Sequence, residues 1–304
     1  MRLARRDPSA SFRLVWLLLA MSLALPAQAR PSSGQRCPRG ARLVGDVPPE
    51  KFARWCVKEI DGNYLRHGPY RAWYPNGYKH VFGDYSRGLK HGIWQEWYDD
   101  GAPKSRGRYS MGKNDGDFSE WFANGQQKRR THYKGGERSG PFSAWHEGGR
   151  LAEQGIYILG MESGTYKSWY ANGKLARTGA YSAGRQQGEW SEWHDNGARK
   201  STGSYVDGKE HGDFATWFAD GKFAWKGRFS MGMRQGEFRT WHAGGAAESR
   251  GTWRKDRRHG LHATWYENGS KAKEATYQDD KLHGSYLEWH ADGSAKVQTE
   301  MADG

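Results

Sequence analysis

Twelve histidines and 34 acidic residues are the usual raw material for metal binding and acid–base catalysis, but their spacing assembles neither. Each recurring His or carboxylate recurs in step with a 24-residue repeat. There is no Gly-x-Ser-x-Gly elbow, His-Glu-x-x-His pair or phosphate loop. His67 and His91, or His259 and His283, hold the same place in adjacent units, about two strands or ~10 Å apart, whereas shared coordination needs ring nitrogens within about 4 Å. They read as residues that end a strand and serve its turn. The expectation is a non-enzymatic chain with no metal and no cofactor.

Three other chemistries remain. The first is stacking by indoles: the sixth residue of ten consecutive units is Trp73, Trp97, Trp121, Trp145, Trp169, Trp193, Trp217, Trp241, Trp265 and Trp289. Such a ladder is either a core that interlocks neighbouring units or a platform for a ligand. The seventh position is also aromatic except where His146, His194, His242 and His290 replace the ring, and a buried ladder tolerates His poorly. The second chemistry is cationic: Lys128, Arg129 and Arg130, and Arg254, Lys255, Arg257 and Arg258, form two local concentrations that mark a candidate patch for an anionic partner. The third is a thiol pair, Cys37 and Cys56. Their spacing gives neither a Cys-x-x-Cys motif nor enough metal ligands, so a disulfide that staples the start of the array is expected, contributing about 3 kcal/mol by restricting the unfolded chain.

The elements that carry these residues follow from the repeat. Units open at Gly68 and every 24 residues to Gly284, in the form Gly-x-aromatic-x-x-Trp-aromatic-x-x-Gly, without insertion or deletion. Segments such as Ile93–Tyr98 are short, aromatic and bounded by turn residues, as strands are. Tripeptides such as Pro75-Asn76-Gly77 supply the positive φ of a three-residue hairpin loop. The chain returns through a more polar strand ending in a ring at position eighteen, then turns again at Gly88, Gly112 and their successors. The fold class is therefore all-β: an elongated array of about ten tandem antiparallel hairpins in a single twisted or curled sheet, about 90 Å long before twist at ~4.8 Å per strand. Alternation puts the rings at positions three and seven on one face and the position-six Trp on the other. Either the sheet curls around one ladder or a set of rings stays open. Position three also reads Tyr70, Trp94, Phe118, Phe142 and then Tyr166, Trp190, Phe214, Phe238, as if units one to four were duplicated as five to eight.

Residues 1–29 stand apart. Arg2, Arg5, Arg6 and Arg13 precede an apolar run from Leu14 to Leu25, and Ala27-Gln28-Ala29 fits a signal-peptidase site, so cleavage before Arg30 and export to the periplasm, outer envelope or medium are expected. The run is short for a membrane span and nothing later approaches one, so the mature chain is not expected to cross a membrane. Losing four arginines and Asp7 lowers the formal charge from +13 to +10. Outside the cytoplasm that charge suits anionic lipid or glycan; nucleic acid is not the expected partner. The domain reading is a signal peptide over 1–29, a disulfide-stapled cap over 30–67 and the repeats over 68–304.

The run Trp73-Tyr74-Pro75-Asn76-Gly77 through Tyr85-Ser86-Arg87-Gly88-Leu89-Lys90-His91-Gly92 resembles the MORN-repeat variant of bacterial proteins. The resemblance extends over residues 62–304, and the stretch from Cys37 to Cys56 is similar to a cap that precedes such arrays in secreted bacterial proteins. It implies a β array used to bind partners. Asp256 and Asp280 depart from the turn Gly, Thr131, Ala275 and Thr299 from a small Gly, and His262 from a ring. The expected function is a non-catalytic exported scaffold that binds a protein or envelope component along an aromatic and basic surface. The alternative is a carbohydrate or cell-wall binder whose rings stack on sugars.

Overall fold

Aromatic and polar residues alternating between glycine-bearing turns produce 23 β-strands and no helix over residues 34–47 and 51–301, the part of the chain that the computed structural model describes. The expected leader, 1–29, lies outside these residues. Residues 35–304 form one unit. Within it successive strands pair antiparallel, from β1 (Ala41–Asp46) and β2 (Ala53–Ile60) to β22 (Lys281–Trp289) and β23 (Ala295–Met301), except that β17 (Met233–Arg234) and β18 (Gly236–Trp241) both pair with β16 (Phe223–Ser230). The first and last strands have one neighbour each, so the sheet is open. Two strands precede the first repeat and extend the same meander. Cys37 is bonded to Cys56, with Cα atoms 5.6 Å apart, and Cys56 is only 1% exposed. The bridged segment folds back on the first unit, where Gln35 Nε2 donates to Pro69 O at 3.0 Å.

In unit one, β3 (Asn63–Trp73) and β4 (Lys79–Ser86) make the hairpin, and β5 (Leu89–Trp97) begins unit two. Tyr74 N–H donates to Tyr78 O at 2.8 Å across the first loop, and Gly77 takes φ 87°. At the second turn Arg87 and Gly88 both have positive φ, 48° and 81°, the type I′ geometry whose twist matches that of the strands. Asp256 and Asp280 adopt the same geometry in place of Gly, at 66° and 72°. Each carboxylate compensates by accepting the backbone N–H of a residue in the preceding unit, Arg234 at 2.9 Å and Arg258 at 3.0 Å.

Two register shifts recur from unit to unit and decide which residues share a face. In the hairpin, Ala72 faces Val81 but Trp73 faces Lys79, so one extra residue, His80, is accommodated. Such an excess reverses the side on which the next residues stand, which brings Lys79 onto the Trp73 face. Between units, Phe82 faces Gln95 but Asp84 faces His91, with the extra residues bulging around Gly92 at φ 69°. That excess is two, so the facing is preserved. The position-three rings therefore meet the position-eighteen rings in one ladder.

This ladder is the core. It runs Trp55–Tyr70–Tyr85–Trp94–Tyr109–Phe118–Tyr133 with centroids 5.0–6.4 Å apart, mostly edge to face, and continues from Tyr166 to Tyr277. Trp94, Trp190 and Phe142 are 4%, 3% and 3% exposed. A single layer can bury Trp94 and Trp190 this well because each sits flat on a glycine of the unit before it. A Cβ on Gly83, Gly107 or Gly203 would lie 2.2, 1.9 or 2.1 Å from Trp94, Phe118 or Phe214. The indole N–H of Trp94 then donates to Asp84 O at 3.0 Å, and that of Trp190 to Ala180 O at 3.1 Å. Thr131 fills one such seat, and Phe142 leans instead on Gly155, whose Cβ would come within 2.7 Å. His262 keeps the seat on Gly251 and donates Nε2–H to Thr252 O at 2.8 Å, the bond its indole counterparts make.

Long cations close the outer side of this ladder. Arg234 lies 3.4 Å over Trp253, Arg177 4.3 Å over Trp190 and Lys90 4.4 Å over Trp94. Burial pushes the phenols of Tyr109, Tyr166 and Tyr181 above the ordinary tyrosine value, so these rungs stay neutral across the physiological range.

Two outcomes test the core. Gly203→Ala should cost about 1–3 kcal/mol in thermal or urea unfolding through overpacking against Phe214, whereas Gly148→Ala, which meets open space, should change stability by less than about 0.5 kcal/mol. Burial holds His262 below its ordinary value of 6.5, so the unfolded chain takes up its proton first. The corresponding stability is present above pH 6.5 and is lost as pH falls. The melting temperature should therefore drop more between pH 7.5 and about 5.5 in the wild type than in His262→Trp, and equal pH profiles would contradict this.

Candidate functional site

The position-six tryptophans line the opposite face. Trp73 is 8% exposed, and the other nine are intermediate between buried and exposed, so this face is less sealed than the core ladder. The hairpin bulge supplies what lies between them: in each unit the residue brought round by the register shift stands beside the Trp. Lys79 places Nζ 5.4 Å over Trp97, Arg199 lies 5.6 Å over Trp217, and Lys271 lies 5.5 Å over Trp289. In unit one Phe82 bridges Trp73 and Trp97 at 5.6 and 5.2 Å. In unit seven the intercalated residue is itself a ring. Phe223 lies 5.3 Å from Trp217 and 5.4 Å from Trp241, tilted by 30° and 32°, and is 40% exposed.

The seventh-position rings stand apart from the core ladder, at the hairpin ends. Their polar atoms reach the next unit: Tyr74, Tyr98 and Tyr170 donate their hydroxyls to the carbonyls of Trp97, Trp121 and Trp193 at 2.8, 2.8 and 2.7 Å. His146, His194 and His242 donate Nε2–H to Trp169, Trp217 and Trp265 at 2.8, 2.9 and 2.9 Å. Histidine at this position replaces one donor by another, which is why it is accepted where a buried ring ladder would reject it. The turn residues couple units in the same way. Asn76 Nδ2 donates to Asp99 O at 2.6 Å and Asn172 to Asp195 O at 2.7 Å, while His67 Nδ1 accepts Arg87 N–H at 3.3 Å. Among the described residues no group of three or more His, Cys, Asp or Glu converges.

The two basic runs do not form simple patches. Alternation splits the first: Arg129 faces Glu120, Arg130 pairs with Asp117 at 3.3 Å on the tryptophan side, and Lys128 covers Phe122. The Asp117 carboxyl is held below the usual range first by its bond to His132 and then by Arg130. In the second run Arg254 meets Asp279 at 2.8 Å and Arg258 meets Asp280 at 3.2 Å, while Lys255 and Arg257 are exposed on the turn. A concavity on the tryptophan face lies elsewhere, over units six to eight: a shallow groove of about 600 Å³ around Trp217 and Phe223, edged by Arg199, Lys226, Arg228 and Arg239. Sequence reading passed over it because Phe223 acquires its place through the bulge. The signal was present as a lone ring at the twelfth position of a unit.

Removing a rung-to-rung donor should loosen the array by a small, additive amount. Tyr170→Phe is expected to cost about 1 kcal/mol and Tyr170→His to retain most of the wild-type stability, measured by urea unfolding. Equal losses would remove the hydrogen bond as the reason for histidine at this position.

A family model described as the MORN repeat variant matches residues 90–110, 162–182, 186–207 and 258–279. No curated protein matches the chain. Among solved structures, that of TcdB2-TccC3 without its hypervariable C-terminal region is similar over 86% of this chain at 12% identity and a TM-score of 0.16. The chain spans 17% of the length of that one. Each matched stretch starts two residues before a unit opens, at Gly92, Gly164, Gly188 and Gly260, and at those positions the array matches the MORN repeat variant.

Proposed function

We propose that the chain is a non-catalytic, exported scaffold that binds an extended protein or cell-envelope component along its tryptophan face. The observation that supports this reading most directly is the difference between the faces: the core ladder buries Trp94, Phe142, Tyr157, Trp190, Phe214 and Tyr277, whereas nine of the ten position-six indoles are only partly buried and cations lie over four of them, Trp97, Trp217, Trp241 and Trp289. Half-open rings in register offer the same contact many times, which favours avidity along a long partner over one deep pocket. The Cys37–Cys56 bridge fits an oxidising compartment, and no helix among the described residues is long and apolar enough to cross a membrane. On this reading 1–29 is the export signal, 30–67 the cap and 68–304 the binding array.

The test is to delete pairs of units from the full chain and measure co-sedimentation with washed cell-envelope fractions. Binding should weaken in comparable steps with each pair removed, and loss of all binding on removal of one particular pair would replace the scaffold by a single site. Cell fractionation with N-terminal sequencing should find the mature chain outside the cytoplasm, beginning at Arg30. A second reading, carbohydrate binding, is favoured by the Trp217–Phe223–Trp241 stack.

A further inference from the structure

We infer that the groove over units six to eight is a subsite for an acidic polysaccharide, with Phe223 as its stacking centre; this rests on the reading of the tryptophan face as the binding face. Trp217, Phe223 and Trp241 make a continuous run of rings on that face, at 5.3 and 5.4 Å, and its central ring is exposed, unlike Phe82 in the corresponding run of unit one. An exposed row of contacting rings gains most from a flat ligand with an apolar C–H face, and a pyranose ring has one.

The charges around the rings select the sign of that ligand. Glu237 is already taken by two arginines, Arg239 on its own strand and Arg250 at 2.7 Å on the next, and the first of these contacts is the main reason its carboxyl lies below the usual range. Arg199 lies over Trp217, and Lys226 over both Phe223 and Trp241 at 5.6 Å. Among the described residues neither has a carboxylate within ion-pair distance. Arg228 faces Asp213 across the strands without forming an ion pair. The groove therefore holds exposed cations whose nearest partners are rings, and an incoming carboxylate can meet them without displacing an existing ion pair.

The contacts between the rings favour a glycan over a nucleic acid. Ring and cation alternate here once per hairpin, about 9.6 Å at two strands per unit, which is close to the length of a disaccharide. The rings also contact one another, leaving no gap into which a base could slide.

The experiment is calorimetric titration of the full chain with a hexameric oligogalacturonate, its methyl ester of equal length, and a single-stranded oligothymidylate. The oligogalacturonate should bind, the ester should bind about tenfold more weakly, and the oligothymidylate more weakly still. Phe223→Ala should weaken oligogalacturonate binding about tenfold. Lys226→Gln should weaken it about threefold and flatten its salt dependence. Leu175→Ala, at the same place two units earlier, should change it by less than about twofold. Lys226 is exposed, so its variant reports on the site even if Phe223→Ala unfolds. Equal effects of Phe223→Ala and Leu175→Ala, equal binding of the ester, or tighter binding of the oligothymidylate would overturn the subsite. If envelope binding still falls in steps as units are deleted, the scaffold stands and only the subsite fails; if neither deletion nor substitution changes any binding, both fail.

Discussion

The array depends on one contact made over and over: the position-three ring of a unit lying on a glycine of the unit before. That contact converts a row of hairpins, each too small to bury its own rings, into a continuous core with no second layer. Where the ring is seated it leaves no room for a Cβ, since a side chain at Gly179 would come within 2.1 Å of Trp190. The other couplings align with it. Position-seven donors, turn asparagines and the acceptors before each unit all reach residues 20 to 23 positions away, so backbone and side chains enforce the same register.

The departures from the repeat become intelligible against this contact. His262 keeps both the seat and the hydrogen bond of a tryptophan, at the cost of burying a titratable ring. Thr131 blocks a seat, and the displaced Phe142 finds another on Gly155; its own hydroxyl is left without a hydrogen-bond partner. Asp256 and Asp280 substitute a side-chain acceptor for the freedom of glycine. Each departure preserves the coupling between neighbours while altering the surface, and a binding array can diversify in this way without losing its sheet.

The two faces are chemically unlike although both carry ring ladders. One is closed by arginines and lysines lying on sealed rings. The other interposes a variable residue between successive tryptophans, an aliphatic, a cation, the amide of Gln127 or, once, a ring. The variable residue is where units differ most in what they offer a partner, which is why the groove at Phe223 is local and not a property of every unit.

Much of this was legible in the sequence. The 24-residue period, the hairpin turns and the Cys37–Cys56 pairing follow from local chemistry, because turn geometry and glycine placement act within a few residues. The role of the position-seven histidines was not legible, because their partners are carbonyls 23 residues away and carry no side-chain signature. The tertiary structure alone decided which ladder is core and that the sheet stays open. It also decided that the twelfth residue of each unit joins the tryptophan face. The reason is physical: a one-residue bulge reverses the facing of everything beyond it, and a two-residue bulge does not, and only the pairing of strands reveals which of the two the chain has made.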